Sequence, residues 1–407
     1  MESLRFAFIS SHHPSEGGQG LAHVVSSLSQ VLAGRGHQVT VLYPVYTRSK
    51  DAPREELWNG IRSVPVPWHR FGRLPFGRDI EFSWNAARRL DGDLDIVVVN
   101  NEHGGRFVVR RCETLRSGSD ARRPVTLMVF HGVALRFLEM GRTDRPDRLR
   151  ARLGYRADAV ALRWLEGGAA RRADACVACS RKVAHDVATL YGVPTSRISV
   201  IYNGVDPTPE RTPPEKKEAR EELGIRDEEF CLSFLARDPR RKGFDVAVAT
   251  VRLLRERGVP ATLLNVGNTC PGSPEVRSLG SLDARGKRQA LAASDVFFLP
   301  TWYEGLPLAI QEAAAMGIPV VTTPEANLEW GVAGRDYLVN SPNRPEVHAE
   351  ALASLYREPE RREAMGLRGR ETLGVRPYSL QAQEYEELGR RILGAPRGRA
   401  AALFGSG

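Results

Sequence analysis

The chain has 407 residues, of which 42% are apolar and 26% charged, so its composition excludes a disordered or fibrous protein and is sufficient for two domains. The formal net charge of +9 lies in residues 1–206, where 30 Lys and Arg outnumber 21 Asp and Glu. Because no nucleic-acid-binding motif accompanies this excess, we expect no nucleic-acid partner, whereas an anionic acceptor or a membrane surface stays open.

No apolar run in the sequence approaches the roughly 20 residues that span a bilayer, and no signal segment opens it. We therefore expect a cytoplasmic protein, either free or in peripheral contact with the inner face of the membrane. The five cysteines are odd in number, which argues against a disulfide framework.

The first half of the chain alternates between strand and helix patterns. Residues 5–10 form a short apolar run, a glycine-rich loop follows, and residues 21–32 have helical apolar spacing. Residues 39–43 resume as a strand, which completes a βαβ unit. Further strands are predicted at 95–99, 125–130, 175–178 and 198–201. This half is predicted to be α/β with a mainly parallel sheet.

The second half repeats the alternation after a proline-rich stretch. Residues 207–218 contain four prolines and are predicted to be a linker. Strands are then predicted at 230–236, 262–266, 296–299 and 319–322. We predict one domain over 1–206 and a second over 207–377, with a last helix over 379–393 that packs back on the first domain and a flexible tail over 394–407.

Two glutamates give the most specific pattern. Glu304 follows the strand predicted at 296–299, and Pro307 is typical of a helix's first turn, so Glu304 is predicted at a helix entrance with Glu312 further along the helix. A retaining glycosidase needs its two carboxyl groups about 5 Å apart, which this spacing exceeds. The pair is predicted to contact different parts of one elongated ligand.

These glutamates resemble the EX7E motif of the retaining glycosyltransferases of family 4. Arg237 and Lys242, in the sequence ARDPRRKG, are similar to that family's GR followed five positions later by KG. The resemblance extends over nearly the whole chain. It implies the GT-B fold, an α/β architecture of two Rossmann-like domains facing an interdomain cleft, with an N-terminal acceptor domain and a C-terminal nucleotide-sugar donor domain.

The resemblance also implies roles for residues of the second half. Glu304 would contact the donor sugar, Glu312 the nucleotide ribose, and Arg237 and Lys242 the diphosphate, whose negative charge grows as it leaves. The turn would line the sugar and phosphate through Gly305, Leu306 and Leu308.

In the first half, the resemblance points to one glycine and one histidine. Gly18, in the loop after the first strand, would approach the donor phosphates, and His131, at the end of a strand, would face the donor sugar. Glycine also serves ordinary turns, and a strand-end histidine can be purely structural. Glu102 and His103 follow another strand and are weaker candidates for acceptor binding.

Two short motifs could suggest metal chemistry. Asp91 and Asp93 mimic a metal-binding DxD but precede a strand in the half that the resemblance does not assign to the donor, so we interpret them as a turn. Cys176 and Cys179 form a CxxC without a second pair, and we interpret them as part of a small-residue strand. No metal and no cofactor are expected.

The resemblance implies a metal-independent, retaining hexosyltransferase that uses a UDP- or GDP-sugar. In its mechanism the leaving diphosphate takes the acceptor's proton on the face of attack. The acceptor could be a sugar, a lipid-linked group or a small metabolite. A nucleotide-sugar epimerase of related fold and a nucleotide-sugar-binding protein without turnover remain as alternatives.

Overall fold

A computed structural model describes residues 2–13, 15, 20–47, 54–69, 76–91, 93–100, 105–115, 122–143, 149–206, 208–267, 273–374 and 376–394, without the side chains of 21, 141–143 and 149–154. The chain forms two compact units. The first unit comprises Met1–Gly204 with Tyr378–Gly407, and the second comprises Val205–Pro377. The predicted tail, 394–407, lies outside the described residues except for Gly394.

The first unit contains an eight-stranded sheet in the order β3-β4-β2-β1-β5-β6-β7-β8. Its strands are β1 Arg5–Ile9, β2 Gln38–Tyr46, β3 Glu56–Trp58, β4 Ile61–Trp68, β5 Ile96–Asn100, β6 Val125–Phe130, β7 Ala175–Ala178 and β8 Ile198–Val200. All neighbours pair in parallel except β3 with β4. The described helices of this unit are α1 Gly20–Gly34, α2 Gly77–Arg89, α3 Gly105–Thr114, α4 Ala134–Thr143, α5 Leu149–Ala170, α6 Arg181–Tyr191 and, after the second unit, α13 Tyr378–Leu393.

The second unit contains a six-stranded parallel sheet in the order β11-β10-β9-β12-β13-β14. Its strands are β9 Phe230–Leu235, β10 Ala261–Val266, β11 Val276–Gly280, β12 Val296–Leu299, β13 Val320–Thr322 and β14 Leu338–Val339. Its helices are α7 Pro213–Glu222, α8 Phe244–Glu256, α9 Ala284–Ala292, α10 Leu308–Ala315, α11 Pro345–Arg357 and α12 Pro359–Leu373.

The strand order of the second sheet fixes where a ligand can bind. From β9 the chain proceeds outward to β10 and β11, and it then returns to the other side of β9 with β12. In an open parallel sheet, the crevice at such a reversal, beyond the carboxyl ends of the strands, is where ligands bind. The segments that follow β9 and β12 therefore meet at the favoured position.

Strand β4 was missed by the sequence analysis because of its prolines. β3 pairs with Ile61–Ser63, and no strand in the described part of the chain pairs with the outer edge of β4 beyond that point. Pro65 and Pro67 lie there, where a missing N–H breaks no ladder bond. Their carbonyl oxygens accept hydrogen bonds from Arg89 and Asn85 of α2, which covers the edge.

The predicted linker over 207–218 is wrong in its second part. Residues from Pro213 onward form α7, whose first turn is capped by the Thr212 hydroxyl, which accepts from the N–H of Glu215. Proline suits the first position of a helix because its missing N–H would have no partner there. The pair Pro213 and Pro214 was therefore a helix-start signal rather than a linker signal.

The described cysteines are buried free thiols: Cys112, Cys176, Cys179 and Cys231. Burial raises the pKa of Cys176 to about 12, so this thiol stays protonated in the core of the first sheet. None of the helices in the described part of the chain combines the length and apolarity needed to cross a bilayer.

Candidate functional site

The carboxylate of Glu304 is the centre of a compact polar cluster in the second unit. Its Oε1 atom lies 3.0 Å from Lys242 Nζ and 3.1 Å from Arg241 Nη1, and it accepts a hydrogen bond of 3.2 Å from the Thr301 hydroxyl. The side chain of Glu304 is only 8% exposed. All three contacts converge on one oxygen, and no described residue donates to Oε2.

The charge of this carboxylate is set by its neighbours. Burial alone would raise the pKa of Glu304, but the attraction of Lys242 and Arg241 outweighs burial and holds that pKa below its usual range. Glu304 is therefore ionised at neutral pH. A buried carboxylate beside two cations can accept hydrogen bonds from a ligand through its second oxygen.

The two cations reach Glu304 because their turn is docked on the end of β12. The backbone N–H of Trp302 donates to the carbonyl of Arg241 at 2.9 Å. Gly243, which follows Lys242, has φ +76°, and a Cβ there would lie 1.9 Å from the Pro300 carbonyl oxygen. Only glycine allows this close approach. Gly243 therefore holds the backbone in the position from which Lys242 directs its ammonium group to Glu304.

The backbone of the glutamate turn is held from the other side. The N–H of Glu304 donates to the carbonyl of Glu325 at 3.0 Å, and Asn327 Nδ2 donates to the carbonyl of Glu304 at 2.7 Å. Glu304 thus has its main chain and one carboxylate oxygen fixed before any ligand binds.

Arg241 was not identified by the sequence analysis, which named Arg237 and Lys242. Arg241 contacts Glu304 and also donates to the carbonyl of Tyr303. Arg237 is exposed and forms no ion pair with any residue in the described part of the chain. Of the two predicted cations, the structure therefore brings only Lys242 into contact with Glu304.

The helix after the turn begins later than predicted. α10 starts at Leu308, with Pro307 just before it, so Glu304 lies on a non-helical turn and its separation from Glu312 is not that of helical residues. Gly305 and Leu306 are buried in this turn, whereas Leu308 is partly exposed.

Glu312 lies on α10 with its side chain 25% exposed. Its Oε1 atom is 3.4 Å from the ammonium group of Lys287 on α9. Lys287 could not be predicted from the sequence, because nothing in the spacing of α9 relates it to Glu312.

His131 follows β6 in the first unit. Its Nδ1 atom lies 3.4 Å from Asn203 Nδ2, while its Nε2 atom is buried without a hydrogen-bond partner among the described residues. Burial lowers the pKa of His131 to about 4, so the ring is neutral at neutral pH. The other candidates of this unit, Gly18, Glu102 and His103, lie outside the described residues.

The aspartates of the DxD sequence form ion pairs with arginines. Arg5 pairs with Asp93 at 3.0 Å and with Asp95 at 3.0 Å. Asp91 lies 3.7 Å from Arg62. Asp95 also accepts from the backbone N–H of Arg5, so these contacts fasten the start of β5 to β1.

Two families match this chain, one for each half. Residues 18–209 match the family described as Glycosyltransferase Family 4, and residues 229–358 match the family described as Glycosyl transferases group 1.

Relatives of known name match at modest identity. D-inositol 3-phosphate glycosyltransferase of Paenarthrobacter aurescens is 29% identical over 216 residues, which are 49% of this chain and 52% of that protein. The chain thus spans about half the length of this relative. Glycogen synthase of Mycobacterium tuberculosis is 25% identical over 382 residues, which cover 88% of this chain and 87% of that protein.

Solved structures match over nearly the whole chain. Sucrose-phosphate synthase from Thermosynechococcus elongatus superposes with a TM-score of 0.74 at 18% identity, over 97% of this chain and 100% of that one. At this identity the likeness shows the fold alone.

Proposed function

This chain belongs to glycosyltransferase family 4 and has the GT-B fold, and we propose that it transfers a hexose from a nucleotide-diphosphate-sugar to a hydroxyl acceptor with retention at the anomeric carbon. The observation that carries the proposal is the Glu304 cluster. It joins a buried, ionised carboxylate to two cations beyond the carboxyl ends of β9 and β12, where a parallel sheet binds its ligand.

In this proposal the free oxygen of Glu304 accepts hydrogen bonds from hydroxyls of the donor sugar. Lys242 contacts Glu304 and has further N–H donors for the diphosphate, while Arg237, exposed and without an ion pair among described residues, supplies a planar fork to the same anion. As the glycosidic bond breaks, negative charge grows on the diphosphate, so these cations stabilise the transition state more than the ground state.

The start of α10 adds donors to the same site. The first N–H groups of a helix have no partner within the helix and favour a negative charge. Those of Leu308 and Ala309 follow the glutamate turn directly, because α10 begins at Leu308. Pro307 offers no N–H, so the diphosphate would be bound by the helix rather than by that position of the turn.

The proposed retention uses no protein nucleophile. Glu304 is tied to Lys242, Arg241 and Thr301, which favours its use as a binding group over its use as a nucleophile. In the proposed step the acceptor oxygen bonds to the anomeric carbon, the bond from that carbon to the diphosphate breaks, and the acceptor's proton passes to the departing phosphate oxygen. Glu312 would bind the ribose, and no metal ion or cofactor takes part.

The test is turnover of nucleotide-sugars by the full chain. UDP-, GDP- and ADP-hexoses should be supplied with a phosphorylated polyol and a glucan, in view of the relatives' names, and released nucleotide diphosphate measured with and without EDTA. We expect release from at least one donor, unaffected by EDTA, and a product whose anomeric proton shows the donor's configuration. Inversion, or loss with EDTA, would contradict the mechanism.

The same assay separates the alternatives. An epimerase would change the sugar without consuming an acceptor. A protein that only binds would show a rise in Tm with the nucleotide-sugar but no release of nucleotide diphosphate.

A further inference from the structure

A chain of buried amides connects α13 to His131 within the first unit. The backbone N–H of Gly204 donates to Gln381 Oε1 at 2.9 Å, Gln381 Nε2 donates to Asn203 Oδ1 at 3.4 Å, and Asn203 Nδ2 lies 3.4 Å from His131 Nδ1. Gln381 is fully buried and Asn203 is 3% exposed. The bonds thus form a continuous path from the backbone to the imidazole ring.

The backbone N–H of Gly204, at the start of this path, fixes which group donates and which accepts in every hydrogen bond that follows. A backbone N–H can only donate, so the oxygen of the Gln381 amide must face Gly204 and its NH₂ group must face Asn203. Asn203 then accepts through its oxygen and presents its own NH₂ group to the ring. Reversing either amide would set two donors against each other in a buried site.

The close approach at Gly204 is built into the backbone. A Cβ on this residue would lie 2.6 Å from the backbone N of Tyr378, the first residue of α13. Only glycine therefore lets α13 begin against this segment. That approach keeps the Gly204 N–H within reach of Gln381, one turn into the helix.

We propose that Gln381 and Asn203 are positioning residues that hold His131 as its Nε2–H tautomer, so that the ring offers a hydrogen-bond donor to an oxygen of a bound ligand. Nδ1 accepts from Asn203 and carries no proton, which leaves the proton of the neutral ring on Nε2. The Nε2 atom is buried and has no partner among the described residues. The identity of the ligand rests on the proposed function, whereas the tautomer does not.

The tautomer is tested without turnover, by long-range ¹H–¹⁵N NMR of the full chain labelled at its histidine nitrogens. The signals of His131 are identified by their loss in His131→Gln. Protonated and bare ring nitrogens differ strongly in ¹⁵N shift, and we expect Nε2 protonated and Nδ1 bare at pH 7.5. A proton on Nδ1 in the unsubstituted protein would overturn the proposal.

Gln381→Glu should reverse the orientation of the Asn203 amide and with it the tautomer of His131. A carboxylate can only accept, so it would still take the Gly204 N–H but would turn the NH₂ group of Asn203 toward itself. Asn203 would then present its oxygen to His131, moving the proton to Nδ1. The matched control is Gln383→Glu, which adds the same charge on an exposed site of the same helix.

If the proposed function holds, Gln381→Glu should lower kcat/KM for the donor by about tenfold or more, since His131 would offer an acceptor where the ligand needs a donor. Gln383→Glu should leave kcat/KM and the tautomer unchanged. An unchanged His131 tautomer in folded Gln381→Glu would contradict the positioning role. An Nε2–H tautomer in a protein that turns over no nucleotide-sugar would contradict the proposed function and leave the amide path intact.

Discussion

Arg241 and Arg237 differ in their contacts with the carboxylate of Glu304. Arg241 is partly buried, and it bonds both to this carboxylate and to the carbonyl of Tyr303. Arg237 is exposed and pairs with no described acidic residue. One arginine therefore belongs to the structure of the site, and the other is available to a ligand.

This division gives a paired prediction. Arg241→Met should lower the free energy of unfolding by about 2 kcal/mol, because it removes a charged hydrogen bond to a buried carboxylate. Arg237→Met should leave Tm unchanged but weaken binding of the nucleotide diphosphate. Thermal melts with and without nucleotide measure both effects, and equal effects of the two substitutions would contradict the division.

The residues of the candidate site could be predicted from the sequence only in part. The motif identified Glu304 and Lys242, which the structure brings together at 3.0 Å. It did not indicate that Arg241 also contacts the carboxylate, because the geometry of the turn decides which side chains face Glu304. The amide path to His131 joins residues far apart in the chain, so no local spacing could have suggested it.

At the scale of elements, the contact between the end of β12 and the turn before α8 fixes the position of Lys242 beside Glu304. Gly243 has φ +76° and lies against the Pro300 carbonyl. Gly258, after the other end of α8, has φ +78° and has nothing within 4 Å of an added Cβ. The two glycines share a backbone conformation and differ in the space around them.

We predict that Gly243→Ala is much more destabilising than Gly258→Ala. A left-handed alanine alone costs roughly 1–2 kcal/mol, which is all that Gly258→Ala should show. At Gly243 the turn must also move away from β12, which separates Lys242 from Glu304 and should abolish turnover. Denaturant unfolding measures the difference, and equal losses of stability would contradict the docking argument.

The strands of both sheets were largely predictable, because parallel strands buried on both faces read as continuous apolar runs. β6 and β12 have the predicted bounds. β4 and α7 were not predicted, because the structural effect of a proline depends on where it lies in a strand or helix. In β4 it lies on an edge that no described strand pairs with, and in α7 it occupies the first turn.

At the scale of the whole molecule, the last helix completes the first unit. Glu386 of α13 is 4% exposed in its side chain and contacts Arg35, His37 and Arg390. Burial would raise the pKa of Glu386, but its hydrogen bonds to these three residues lower it to about 2. The helix is thus joined to the end of α1 through an ionised carboxylate.

This pKa predicts a pH dependence of stability. Because the folded pKa lies below the unfolded value, the contribution of Glu386 is complete above about pH 4.5 and is lost as the pH falls toward 2, up to about 3 kcal/mol. Glu386→Gln should lower stability at pH 7 and flatten this slope. Glu387→Gln, next to it and exposed, should do neither. Denaturant unfolding from pH 7 to pH 3 checks the prediction, and an unchanged slope in Glu386→Gln would refute it.

The proposed role of the Glu304 cluster in catalysis is tested by measuring turnover of the nucleotide-sugar by Lys242→Met. Lys217→Met is the control, since Lys217 is 72% exposed on α7 of the same unit. Removing one preorganised donor to a developing anion should lower kcat by about 100-fold or more, while the control keeps full activity. Release of nucleotide diphosphate by Lys242→Met at the rate of the unsubstituted protein would show that the cluster does not act in turnover.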